Sequence, residues 1–133
     1  MLKNLATVLR AAQLYSHAAH NLVSGSNFFA DHAFSGDVYG AMESAYDSVV
    51  ERAIGTGEKL DLLGMNVAAS KMIVDCKVDT VEDIFEQLLE NESSLRREIE
   101  AARTGASAGT VNLLDQLSDD SEVRTYKLKQ RSK

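Results

Sequence analysis

Apolar residues recur at steps of three and four along most of the chain, which is the period of an amphipathic helix. This pattern predicts a first helix that ends near residue 22 and a second that runs from about Phe28 to Ile54. Between them, residues 24–27 (Ser-Gly-Ser-Asn) suit a helix stop followed by an N-cap. The apolar stripes are Leu5, Leu9, Ala12, Tyr15, Ala19 and Leu22 in the first helix, and Phe28, Tyr39, Met42, Tyr46, Val49 and Ala53 in the second.

The pattern is less regular over residues 58–79, where it predicts a linker that carries one short, buried helix. A third helix is predicted to begin at Thr80. Asp83 stands three residues later, as in a capping box, and the apolar period continues to about Arg103.

A fourth helix is predicted after residues 105–109 (Gly-Ala-Ser-Ala-Gly), with apolar positions from Val111 to Leu128. The chain is therefore expected to be all-α and to form a single domain over residues 1–133. Its order is two long helices, a crossover with a short helix, then two further helices.

Composition agrees with a helical protein. The sequence has no proline and only eight glycines, whereas sandwiches and small barrels need many tight turns. One cysteine, Cys76, excludes an internal disulfide framework and is interpreted as a small buried apolar group. A net charge of -6 makes the chain a poor general binder of DNA or anionic membranes. Without a membrane-spanning stretch or a signal peptide pattern, we expect a cytoplasmic location.

Four titratable residues of the first two helices could bind a metal: His20, His32, Asp47 and Glu51. The midpoint of the two histidines is residue 26, inside the turn. An antiparallel hairpin would therefore hold both imidazoles at one height, about 9 Å from the turn. Asp47 and Glu51 are four residues apart and share a helix face. Two imidazoles and two carboxylates suit iron, manganese or zinc.

These four residues cannot meet within one chain, because His32 and Asp47 are 15 residues apart on one helix, or about 22 Å along its axis. A second copy lying antiparallel beside the second helix would bring the histidines of one chain to the acids of the other. A two-fold axis creates such a site twice in each dimer. The alternative interpretation, isolated histidines and solvated carboxylates beside Arg52, stays open.

The run from His20 to His32 resembles the signature of the Dps family of mini-ferritins. The family typically shows a histidine, a Gly-x-Asn-Phe-Phe turn, a second histidine, and Asp-x-x-x-Glu-Arg along the next helix. Residues 109–114, with Tyr126 near the end, also resemble the family's fourth helix. The likeness covers nearly the whole chain and is strongest over residues 20–55. The remaining matching positions are Tyr39, Asp47, Glu51 and Arg52.

The resemblance implies a ferritin-like four-helix bundle with a short helix in the long crossover between helices two and three. It also implies a hollow shell of twelve subunits that oxidises ferrous iron at its two-fold interfaces, preferably with hydrogen peroxide, and stores ferric mineral. The catalytic and iron-binding residues of this ferroxidase would be His20, His32, Asp47 and Glu51. The di-iron centre of ordinary ferritins needs Glu-x-x-His pairs within one bundle, and this sequence has none.

Some positions depart from the family pattern. Asn21 stands where a tryptophan is common, and Tyr126 occupies what resembles a second tryptophan position, so trapping of electrons or radicals would fall to tyrosines. Gly36 stands one turn after His32, where many members carry an acidic residue, which leaves the occupancy of the second iron position open. His17 is interpreted as polar surface or an entry-path group. Asp31 faces about 100° away from His32 and is given no ligand role.

DNA binding is a further possibility, because five basic residues lie in a C-terminal tail at about residues 124–133. Such tails on a shell could contact DNA phosphates, more weakly as salt rises, and would make the protein nucleoid-associated. Alternatively, the cations complement a helix dipole. Two rival hypotheses therefore remain: a DNA-protecting Dps-like shell protein with a weak or inactive ferroxidase site, and a helical interaction module whose spacing is accidental. The basic residues are Arg124, Lys127, Lys129, Arg131 and Lys133.

Overall fold

The chain consists of five helices and no strands in a computed structural model that describes residues 1–133. The all-α prediction is confirmed, and the bounds of the four long helices lie close to those predicted. No helix combines the length and the apolarity needed to cross a membrane. The helices are α1 (Lys3–Leu22), α2 (Phe28–Gly55), α3 (Leu62–Ile73), α4 (Val81–Ala102) and α5 (Ala108–Arg131).

The helices pack as two hairpins, α1 with α2 and α4 with α5, and α1 also contacts α3 and α4. The predicted stripes of α1 and α2 form much of the core, since Leu5, Leu9 and Met42 are each at most 1% exposed. This main cluster continues onto α4 and α5. A second cluster lies nearer the α1–α2 turn and includes Tyr15 and Phe85. The turn end of the hairpin is thereby anchored against α4.

Glycine and capping side chains set two of the helix ends. Gly25 has φ +94°, a conformation that L side chains rarely adopt, and it allows the chain to reverse between α1 and α2. Asn27 is the N-cap of α2, which confirms the predicted N-cap within residues 24–27, although its side chain makes no capping hydrogen bond. Thr80 does cap α4: its side chain accepts a hydrogen bond from the Asp83 backbone N–H at 3.0 Å.

Helix α3 is less buried than predicted. Only Met65 and Ala69 are buried on it, whereas Leu63, Val67 and Met72 are 79%, 56% and 52% exposed. The prediction of a buried crossover helix is wrong because α3 contacts α1 through one narrow face and leaves its other apolar residues at the surface. The prediction for the nearby cysteine is also wrong, since Cys76 is only half-buried.

A buried ion pair joins α4 to α5. The Glu92 side chain is 1% exposed and accepts hydrogen bonds from Arg124 Nε and Ser121 Oγ, both at 2.8 Å. Arg96 of α4 donates to the Ser121 and Thr125 hydroxyls of α5. The carboxylate is therefore paired and hydrogen-bonded, which a buried charge requires.

Replacing Arg124 with methionine is expected to lower the free energy of unfolding by about 3 kcal/mol, because it leaves Glu92 buried without its cation. Urea denaturation followed by circular dichroism measures the change. Lys127→Met is the matched control, since Lys127 is exposed on the same helix, and it should change stability by less than about 0.5 kcal/mol. Equal stability of the two variants would contradict the structural role of the Glu92–Arg124 pair.

Candidate metal centre

His20 and His32 face each other across the α1–α2 hairpin. Their ring centroids are 3.7 Å apart, with 18° between the ring planes. The prediction that the two imidazoles lie at one height on the hairpin is confirmed. The turn after α1 and the antiparallel course of α2 produce this pairing, because each histidine lies close to the turn on its own helix.

The two histidines hold each other through reciprocal hydrogen bonds. His20 Nδ1 donates to the His32 carbonyl at 2.6 Å, and His32 Nδ1 donates to the His20 carbonyl at 2.7 Å. A carbonyl oxygen only accepts, so each Nδ1 carries a proton, and a ring in the neutral form keeps its lone pair on Nε2. Neither Nε2 atom makes a hydrogen bond within the chain. Neither is among the fully buried polar atoms that lack a hydrogen-bond partner. Both Nε2 atoms are therefore accessible ligands in the tautomer that binds metal.

Gly36 provides the room that this arrangement needs. A Cβ atom at Gly36 would lie 2.9 Å from His20 Nδ1 and 3.0 Å from His20 Cε1. Any side chain at this position would therefore displace the imidazole. The position of the His20 ring therefore leaves no room at position 36 for an acidic side chain, whose absence is noted from the sequence.

A Gly36→Ala variant is expected to lose the hydrogen bond from His20 to the His32 carbonyl, which NMR detects as loss of one imidazole Nδ1–H resonance. Stability should change little, since a lost hydrogen bond worth about 1 kcal/mol offsets a gain in helix propensity of similar size. Gly40→Ala is the control, because a Cβ at Gly40 meets nothing within 4 Å. Retention of both resonances in Gly36→Ala would contradict the steric argument.

Further aromatic rings border the histidine pair. Phe28 stacks on His32 with 4.9 Å between centroids, and Tyr39 lies 5.8 Å from His20. His17, which is exposed, stacks on Tyr39 at 4.3 Å. The imidazole planes are therefore fixed by a row of packed rings along the α1–α2 seam, in addition to their hydrogen bonds.

Asp47 and Glu51 lie further along α2, exposed and without an ion-pair partner in the chain. No group of three or more His, Cys, Asp or Glu side chains in the single chain could hold a metal ion. The histidine pair and the carboxylate pair thus lie at separate places on one molecule, as their spacing in the sequence indicates. Whether a second copy brings them together stays a prediction.

The basic C-terminal segment is helical as far as Arg131 rather than a tail. Arg124 pairs with Glu92, and Arg131 donates from Nε and an NH2 group to the two oxygens of Asp31, at 3.1 and 2.9 Å. Asp31 is 3% exposed, and its carboxylate raises the pKa of the Arg131 guanidinium. The possible DNA contacts that remain without an ion pair are the exposed lysines Lys127, Lys129 and Lys133.

Sequence reasoning missed what these buried acids do. Helix geometry predicts that Asp31 faces away from His32, but nothing local in the sequence connects it with Arg131, which lies 100 residues later. The same holds for Glu92 and Arg124, which are 32 residues apart. The sequence does offer one signal of a buried ion pair. An acid at a core-facing position of an amphipathic helix needs a cation or hydrogen-bond partner when it is buried.

No protein-family model matches this chain, and no curated protein matches it either.

Proposed function

We propose that this protein is a ferroxidase of the mini-ferritin type, which oxidises ferrous iron at sites shared between two copies and stores the ferric product. The proposal includes the ferritin-like four-helix bundle, with α3 as its crossover helix, and, from the Dps resemblance, a cytoplasmic shell of twelve subunits. Iron is the substrate of this reaction.

The observation that carries the proposal is the state of the two imidazoles. Both Nδ1 atoms donate to carbonyl oxygens, so both Nε2 lone pairs are available. A metal-binding histidine commonly has its other ring nitrogen fixed in this way. Each of the two rings offers one Nε2 lone pair, so the pair can bind two ions. We therefore assign one ferrous ion to each imidazole.

The exposed stripe of α2 supports an antiparallel second copy. His32, Gly36, Gly40, Glu43, Asp47 and Glu51 follow one another at steps of three and four, so they share one face. In a register that sets His32 between Asp47 and Glu51 of a second copy, Phe29 comes within about one turn of Ile54. These two apolar side chains are 86% and 53% exposed in the single chain. One register thus satisfies the metal ligands and covers exposed apolar surface.

The exposed apolar residues of α3 support the same assembly. Leu63, Val67 and Met72 are each more than half exposed in the single chain. Exposed apolar surface commonly marks an interface when it forms a large patch. Assembly of several copies would bury these side chains, which the isolated chain leaves exposed.

The residues present suit the chemistry of peroxide reduction. Two ferrous ions supply two electrons to hydrogen peroxide, which takes up two protons and leaves as two waters, so that two ferric ions result and no hydroxyl radical forms. Imidazole nitrogens bind the ferrous state, and the harder carboxylates Asp47 and Glu51 favour the ferric product. The excess of acids over cations in the chain, 20 against 14, is also compatible with accumulation of cationic iron.

An anaerobic ferrous titration followed by peroxide tests the proposal. We expect saturable ferrous binding by the native assembly, then ferric absorbance within the mixing time and little hydroxyl radical in a spin-trap assay. Oxidation at the rate of free ferrous iron, or binding no stronger than in buffer, would contradict the proposal. It would then favour the helical interaction module or the DNA-binding shell.

A further inference from the structure

One buried ion pair connects the end of α5 to the helix that carries His32. Arg131, in the last turn of α5, donates from Nε and Nη2 to the two oxygens of Asp31, at 3.1 and 2.9 Å. Asp31 is buried and lies in the first turn of α2. No other ion pair joins α2 to another helix. The pair therefore attaches the first turn of α2 to α5.

The Arg131 guanidinium also packs against an aromatic ring. Its Cζ atom lies 4.4 Å from the centroid of the Phe85 ring on α4. Phe85 in turn stacks on Phe34 of α2, with 6.4 Å between the centroids. A guanidinium can offer a planar fork to a carboxylate while it stacks on a ring face. Arg131 therefore links the first turn of α2 to α4 as well as to α5.

The first turn of α2 depends on this pair because its other local supports are weak. Asn27, the N-cap, makes no side-chain capping hydrogen bond. The turn before it contains Gly25, and glycine permits more backbone conformations than other residues. The Asp31 carboxylate has no hydrogen-bond partner except Arg131. Without that cation a charge would be buried unpaired, which is strongly unfavourable, and movement of this turn toward water would relieve the cost.

The carbonyl that orients the His20 ring belongs to the residue next to Asp31. His20 Nδ1 donates to the His32 carbonyl at 2.6 Å. Ser35 Oγ donates to this carbonyl at 3.2 Å and to that of Asp31 at 2.7 Å. Phe28, which stacks on the His32 ring, begins the same turn. A displacement of the turn would therefore change the acceptor of His20 and the packing of His32 together.

We propose that Arg131 is a positioning residue of the candidate metal centre. By pairing with the buried Asp31 carboxylate, it keeps the first turn of α2 where His20 and His32 present their Nε2 atoms for ferrous iron. This role rests on the proposed ferroxidase function. Arg131 donates only to Asp31, so it acts on the histidines through that residue and not as a ligand.

The first test compares Arg131→Met with Arg124→Met in the iron-free protein. Each variant removes the cation from a buried carboxylate, but the Glu92–Arg124 pair joins α4 to α5 and does not involve α2. We expect Arg131→Met to lose or shift both imidazole Nδ1–H resonances in NMR spectra, and Arg124→Met to keep them. Loss of the resonances in both variants would show a general effect of lowered stability and would overturn the inference.

An anaerobic ferrous titration of the same variants measures the consequence for binding. Arg131→Met should bind ferrous iron about 10-fold more weakly than the wild type, which is the usual effect of removing a group that orients a metal ligand. Arg124→Met should bind it with wild-type affinity, and light scattering checks that both keep the assembled mass. Wild-type resonances and wild-type affinity in Arg131→Met would overturn the inference.

Two further variants keep the test decisive if Arg131→Met folds poorly. Arg131→Lys retains the charge without the planar fork, so it should weaken ferrous binding less than Arg131→Met does. A double variant with Asp31→Asn and Arg131→Met buries no unpaired charge. It should therefore regain stability and both imidazole resonances. A folded double variant without those resonances would show that Arg131 does not act through the Asp31 carboxylate, and would overturn the inference.

Failure of this role is distinguishable from failure of the proposed function, because the imidazole resonances are measured without iron. If the wild-type protein binds ferrous iron and Arg131→Met binds it equally well with unchanged resonances, only the role of Arg131 falls. If the wild-type protein binds no ferrous iron, the ferroxidase proposal falls. The imidazole spectra then still report whether Arg131 positions the histidine pair.

Discussion

Replacement of Gly40 with leucine is expected to abolish assembly and rapid ferrous oxidation together, while the helices stay folded. Gly40 lies next to the midpoint between His32 and Asp47 on α2, so the proposed two-fold axis passes close to it. A Cβ at Gly40 meets nothing within 4 Å in the single chain. A leucine there would clash only with a second copy.

The folded monomer should tolerate the leucine well. Glycine is less favourable than leucine in an exposed helix by about 0.8 kcal/mol, so the unfolding midpoint of the isolated chain should rise slightly. Light scattering and peroxide-driven iron oxidation are measured on the same sample. Gly55→Leu is the matched control, because Gly55 is also open to solvent but lies at the end of α2. Intact assemblies of Gly40→Leu with normal oxidation would contradict the proposed register.

His32→Ala and Asp47→Asn are each expected to lower the rate of ferrous oxidation by at least about 100-fold, because each removes a ligand from both sites of a dimer. Mixed assemblies of the two variants should regain activity. Each mixed dimer pairs intact histidines of one chain with intact acids of the other, so about half of its sites are complete. Recovery to about half of the wild-type rate per mixed dimer is the expected result.

Two controls make this experiment specific. Asp37→Asn should leave the rate unchanged, since Asp37 is an exposed acid of the same helix outside the stripe. The two chains carry different tags, and the mixed assemblies must be purified through both tags, so that the parent assemblies do not contribute. Absence of recovery in such purified mixtures would show that His32 and Asp47 do not act in one shared site.

The histidine pair could be predicted from the sequence because only local geometry determines it. Two helices joined by a short turn bring together positions equally distant from that turn, so His20 and His32 had to lie at one height. Their reciprocal hydrogen bonds could not be predicted, since these depend on ring rotation. The clearance at Gly36 that permits this rotation is visible only in three dimensions.

Contacts between distant segments set the limit of prediction. The N-terminus of α1 has no side-chain cap of its own, and the Leu2 backbone N–H donates to both oxygens of Glu58, at 3.1 and 3.2 Å. A carboxylate is a favourable partner at a helix N-terminus, but no local pattern identifies one 56 residues away. The prediction that α3 is buried is wrong for a different reason. Hydropathy does not distinguish an apolar residue of the core from one that lies at the surface.

The central claim is that one ferrous site contains imidazoles from one chain and carboxylates from another. Crystals grown anaerobically with ferrous salt and measured at the iron absorption edge test it most directly. We expect anomalous peaks between His20 and His32 of one subunit and Asp47 and Glu51 of its two-fold neighbour. Iron bound by one chain alone, or those four side chains far apart in the assembled protein, would contradict it.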